Sequence, residues 1–175
     1  DTLVGGLVGM AAVFVFPPKP RLEPALAAFA KWYEGVAKHL EAMAHGIGHQ
    51  QVPRGERHAF VANSFRLRQL DLDAREAFAE AVESVQFNPR ARRKSSEKLD
   101  LMERDLRWIT SVTVQVRALS GEIDRLYDRE GGLPPALEPA MLSALLISLA
   151  RLMRAEVRKG MERSTVDRRA QRVQG

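Results

Sequence analysis

Between Leu99 and Tyr127 the sequence sets apolar or small residues at alternating steps of three and four: Leu99, Met102, Leu106, Ile109, Thr113, Val116, Ser120, Ile123 and Tyr127. Spacing of this kind, held over about four heptads, puts one seam on one face of a single long helix and demands other helices to cover it. Val112, Leu119 and Leu126 widen the seam to the breadth expected of a bundle helix. The pattern predicts a helix over 91–129, roughly 58 Å long, with Ile109, Val116 and Ile123 in the core. Gly131-Gly132-Leu133-Pro134-Pro135 ends it.

The covering helices are legible by the same rule. Leu22, Leu26, Phe29, Tyr33, Val36, Leu40, Met43 and Ile47 predict a helix over 22–44, with Pro24 harmless in its first turn and Gly46-Ile47-Gly48 as its end. Phe60, Leu67, Ala74, Phe78, Val82 and Val85 predict another over 56–87, closed by Asn88-Pro89. Its stripe thins between Arg66 and Asp73, which leaves room for a kink or split near Asp71. A fourth helix is expected over 136–160. Its segment MLSALLISLARLM puts Leu142, Leu145, Leu146, Leu149 and Met153 on one face and Met141, Ile147 and Leu152 on others, so it is either the most buried helix or one with a second partner. Beyond Arg158 the stripe is lost, and 161–175 reads as a fraying or disordered basic tail. Short turns between long helices imply an all-α, antiparallel up-down bundle.

A different apolar stretch precedes the bundle. Leu3 to Phe16 has no charged or polar side chain and stops at Pro17-Pro18-Lys19-Pro20. It is short of the ~20 residues of a full span. Lys19 and Arg21 nevertheless give the basic flank expected on the cytoplasmic side, and the prolines break the helix as it leaves the bilayer. Gly5 and Gly9, with Gly6 between them, leave a groove for close helix packing in a membrane, whereas in a soluble helix each would cost about 1 kcal/mol. No basic segment precedes the run and no small-residue cleavage site follows it, so it does not read as a signal peptide. Residues 1–18 are therefore expected to be the C-terminal part of a transmembrane helix, with 19–160 as a bundle. Asp1 and Thr2 would lie ~22 Å deep, where an ionisable side chain is a functional candidate; a plain helix end is the competing reading.

Two stretches carry a family likeness. Asp1-Thr2-Leu3-Val4-Gly5-Gly6, the apolar run and Phe16-Pro17-Pro18 resemble the end of the last transmembrane helix in a half-unit of the FUSC, or aromatic acid exporter, family. Ser84-Val85-Gln86-Phe87-Asn88-Pro89-Arg90, followed by Arg92-Arg93-Lys94, is similar to the turn between long cytosolic helices in its short bacterial members. The resemblance implies a cell-membrane protein that exports aromatic or other organic acids. The residues after Pro17 would then be cytoplasmic, with further transmembrane helices of the same protein upstream and the bundle serving regulation or homo-oligomerisation. The competing reading is a soluble all-α interaction module with no transport role.

Charge narrows the partners. The net charge of +5 resides wholly from Arg151 onward, where eight basic side chains face three acidic ones. Arg90, Arg92, Arg93 and Lys94 in the turn, with Arg158, Lys159, Arg163, Arg168 and Arg169 in the tail, are candidates for contact with anionic lipid on the inner leaflet. Nucleic acid is not expected as a partner, since no recognition module or stacking-aromatic array accompanies these residues. With no Cys, disulfides and thiolate metal sites are excluded. His39, His45 and His49 read as loop histidines and not as metal ligands, because Gly46 and Gly48 interrupt their spacing and no carboxylate accompanies them. Asp71, Asp73 and Glu76 read as a solvated helix face. No nucleophile–base pairing points to an enzyme, and no cofactor is expected.

Overall fold

The computed structural model describes residues 22–48, 52–86 and 89–173, with side chains described as far as 159 and omitted over 89–94. Four helices make up the fold, and no strand occurs among the described residues: α1 (Leu22–Gly48), α2 (Arg54–Gln86), α3 (Pro89–Glu130) and α4 (Pro139–Val173). The all-α bundle expected from the heptads is present. The expected helix over 1–18, with Asp1, Thr2, Gly5, Gly6 and Gly9, lies outside the described residues, as does His49.

Local chemistry sets the helix limits. Pro53 O accepts from Glu56 N (3.0 Å) and Arg57 N (3.1 Å), closing the first turn of α2. Pro89 opens α3, where a missing N–H leaves no bond unmade. Gly131, at φ 73°, takes the left-handed conformation that ends α3, one that costs a residue with a Cβ ~1–2 kcal/mol.

Two expected boundaries are corrected, and the split left open near Asp71 is resolved. First, α1 does not stop at Ala44 but continues to Gly48. Gly46 is buried against α2, and a Cβ there would come within 2.7 Å of Phe60 Cζ, so this glycine permits helix contact in place of a turn. Second, α2 is one helix through the thin stretch of its stripe. Asp71 holds Arg75 Nε at 2.6 Å, and Arg75 Nη2 reaches Thr110 Oγ1 on α3 at 2.8 Å, so polar contacts serve where apolar ones are sparse. Third, α4 does not end near 160; its backbone stays helical to Val173, over a segment that contains no proline.

Side-chain contacts give the helix directions. Gly46 meets Phe60 and Phe29 meets Phe78, so α1 and α2 are antiparallel. Arg57 meets Asp128 and Arg75 meets Thr110, so α2 and α3 are too. Ser143 Oγ donates to Ala44 O at 2.8 Å, while Arg154 pairs with Glu34 and Glu41, so α4 runs back along α1. The order is up-down-up-down, yet the ring is not closed. α1 packs against all three other helices, whereas among the described residues no Cα of α3 comes within 8 Å of one on α4.

The core follows from this. Trp32, Val36, Leu40, Met43 and Ile47 of α1 are fully buried, as is Ile109 of α3, with Val116 and Ile123 at 3% and 1% exposure. Each such side chain contributes roughly 1.5–3 kcal/mol relative to exposure.

Candidate functional site

The up-down topology gathers at one end of the bundle the start of α1 at Leu22, the start of α3 and the C-terminal half of α4. Leu22 is where the chain arrives from the apolar run. Arg90, Arg92, Arg93 and Lys94 occupy the first turns of α3, while Arg158, Lys159, Arg163, Arg168 and Arg169 occupy the last turns of α4. Two basic stretches far apart in sequence thus share the end of the bundle that holds Leu22. Of the side chains described there, Arg158 is exposed, and Lys159 is held by Glu156 at 2.7 Å. The chain order places these helix ends together because α1 and α3 run one way and α2 and α4 the other.

The helices also hold two charged clusters, one midway along α1 and one at the end of the bundle opposite Leu22. Arg154 of α4 grips Glu34 (Nε–Oε2 3.1 Å) and Glu41 (Nη2–Oε2 2.8 Å) on α1, and its hydrogen bonds hold the Glu41 carboxyl below the usual carboxylate range. The Glu41 contact fixes α4 in register on α1. A surface depression beside it is lined by Glu41, His45, Gly48, Ser143, Ile147 and Arg151. Ser143 has its hydroxyl on Ala44 O, and Glu41 is held by Arg154, so this depression assembles no nucleophile with a base.

The second cluster joins α2 to α3. Arg57, 7% exposed, lies over the Tyr127 ring at 5.3 Å and donates to Asp128 Oδ1 (2.9 Å) and the Asp124 carbonyl (3.1 Å). That hydrogen bond keeps the Asp128 carboxyl below its ordinary pKa. His58, Asp124 and Asp128 present ligand atoms within 4.8 Å of one another, the separation a cation could bridge. The guanidinium already occupies this space, with Nη1 3.6 Å from Asp124 Oδ1. A divalent ion would have to displace a buried positive charge, so the cluster reads as an ion pair joining α2 to α3.

The histidine expectation is corrected in part. His39 is no loop residue; it is 5% exposed in the middle of α1, with Nε2 2.8 Å from Ser120 Oγ of α3. Ser120 Oγ also donates to Val116 O at 2.9 Å, an arrangement that suits a neutral His39 ring with its proton on Nε2. Burial pushes its pKa down to about 4 and keeps the ring neutral. His45 is exposed but likewise helical. The signal for His39 is its spacing, three residues after Val36 and four before Met43, which sets it on the flank of the α1 stripe. Asp71 and Asp73 are tied locally to Arg75 (2.6 Å) and Gln69 (2.7 Å), as suits a structural helix face.

The most conspicuous surface is apolar. Met141, Leu145 and Leu152 of α4 are 63%, 64% and 46% exposed and share one face at helical spacing. Partly buried Leu142 and Leu149 join this face to the core. Across the opening, Trp108 of α3 stacks on Tyr33 of α1 at 5.9 Å. Burial, followed by the charges of Asp105 on α3 and Glu156 on α4, raises the Tyr33 pKa. Of the two readings of the fourth helix left open by its sequence, the structure presents a face without a partner among the described residues.

No known family, curated protein or solved structure matches the chain. Among the described residues, no helix is long and apolar enough to cross a membrane.

Proposed function

We propose that residues 22–173 form the cytosolic bundle of a cell-membrane exporter of aromatic or other organic acids, similar to the FUSC family, in which the bundle assembles or regulates the transporter. Residues 3–16 are then the end of a membrane span. The observation that carries this reading is the shared end of the bundle: the chain arrives at Leu22 from the apolar run at the end that also holds the basic first turns of α3 and last turns of α4. Near an anionic inner leaflet each basic residue contributes about 1 kcal/mol, so a bundle tethered at Lys19 gains from presenting this end. Export itself rests on the family resemblance, and Asp1 and Thr2 are its candidates for function within the span.

The test has two arms. Membranes carrying the chain are washed with alkaline carbonate, and the chain should stay with the pellet; release into the supernatant would remove the span. Cells carrying the full-length protein are then challenged with aromatic acids. Asp1→Asn should lower resistance while leaving the amount in the membrane unchanged, and undiminished resistance would leave Asp1 as a helix end. A second reading, an interaction module with no transport role, is favoured by the exposed leucines of α4. Carbonate extraction separates the two.

A further inference from the structure

We propose that the exposed face of α4 is the contact between two copies of this chain, which pair through α4 as a short parallel coiled coil. The inference deepens the assembly role given above, and it requires neither the export activity nor the membrane contact to be correct.

The face has the repeat that such pairing needs. Met141, Leu145, Ser148, Leu152 and Ala155 are separated by steps of four, three, four and three, the d-a-d-a-d order of a two-stranded seam. Met141, Leu145, Ser148 and Leu152 are all exposed, and Ser148 keeps its hydroxyl on Ala144 O at 2.8 Å, so the seam holds no unmet polar group at that position. The core side of the same helix, centred on Leu146, Ala150 and Met153, is committed to α1. A second copy can approach the outer face without disturbing the bundle.

Flanking charges choose the partner and its direction. In a parallel pair, a g residue meets the partner's e residue five positions further on. With Leu145 and Leu152 at a, Arg151 is g and Glu156 is e, so Arg151 of each copy meets the partner's Glu156, twice by symmetry. The preceding g–e pair is Ala144 with the partner's Leu149, which extends the apolar contact. Arg151 is exposed and Glu156 is partly so; Glu156 carries Lys159 at 2.7 Å and would share its carboxylate with the partner's Arg151. Parallel pairing also keeps the two basic bundle ends on the same side, as two copies tethered to one membrane require.

The seam from Met141 to Ala155 is about 21 Å long, so the contact falls in the small, weak class of interfaces. Tethering on one membrane would raise the effective concentration and compensate for that weakness.

The chain contains no Cys, so single-cysteine variants report pairing cleanly. In mild non-ionic detergent, chain 1–175 should sediment with a mass that rises from one copy towards two as concentration increases. Leu145→Cys and Leu152→Cys should each form a disulfide with their own kind under oxidation, because a positions face their twins in a parallel pair. Leu145→Asp should weaken association at least about tenfold, and at dilutions where both proteins are single copies it should leave the thermal midpoint unchanged. Arg151→Glu should weaken it roughly three- to tenfold, and adding Glu156→Arg should restore it. A chain that stays a single copy throughout overturns the proposal. So does crosslinking only in mixtures of the two cysteine variants, which would mean antiparallel pairing, or an intrachain Gly9→Cys to Leu145→Cys bond, which would mean that the apolar run covers this face. Loss of vesicle binding or of efflux with pairing intact would strike only the membrane reading.

Discussion

α1 and the first half of α4 are both rich in apolar residues, yet they end in opposite circumstances. In α1, Trp32, Val36, Leu40 and Met43 are fully buried because three helices surround it. In α4, whose run MLSALLISLARLM is the most apolar in the bundle, Leu146, Ala150 and Met153 are buried while Met141, Leu145 and Leu152 are largely exposed. Apolar content alone therefore does not identify the central helix. What decides it is how many neighbours the topology brings to each face, and among the described residues α4 lacks the α3 contact that would complete a closed ring.

The contrast is tested most severely by cutting one leucine from each helix. Leu40→Ala removes a side chain with no exposure and should cost ~2–5 kcal/mol in chemical denaturation. A loss under 1 kcal/mol would mean that α1 is not the packed centre.

Acid probes the same centre through His39. Its folded-state pKa, about 4, lies below the ordinary value of 6.5, so the unfolded chain binds the proton more readily. The contribution to stability is whole above pH 6.5, declines as pH falls from there, and is lost by pH 4. The total is on the order of 3 kcal/mol. His39→Gln should flatten this part of the stability–pH curve at some cost at neutral pH. An unchanged slope would show that the ring is not held neutral against Ser120.

The smallest effect belongs to the outer face. Leu145→Ser, made where the side chain is 64% exposed, should change the stability of a single chain by no more than about 0.5 kcal/mol. A loss comparable to that of Leu40→Ala would show that α3 and α4 close together in solution and that the open face does not persist.

Much of the architecture follows from sequence alone because local rules act on it. The heptads of Leu99 to Tyr127 required a long helix with Ile109, Val116 and Ile123 inside, and Gly131 through Pro135 required its end, whatever the rest of the chain did. These depend on side-chain periodicity and on backbone freedom, which are properties of a segment. Gly46 has the same composition signal as a turn glycine, yet it serves close packing, because Phe60 occupies the space its Cβ would take. His39 resembles any other histidine until Ser120, distant in sequence, comes to meet it at 2.8 Å. The gathering of the basic turn and the basic end of α4 beside Leu22, and the exposure of Leu145 and Leu152, were likewise decided by tertiary structure. Periodicity determines which residues share a face of a helix; only the packing of one helix against another determines whether that face is covered.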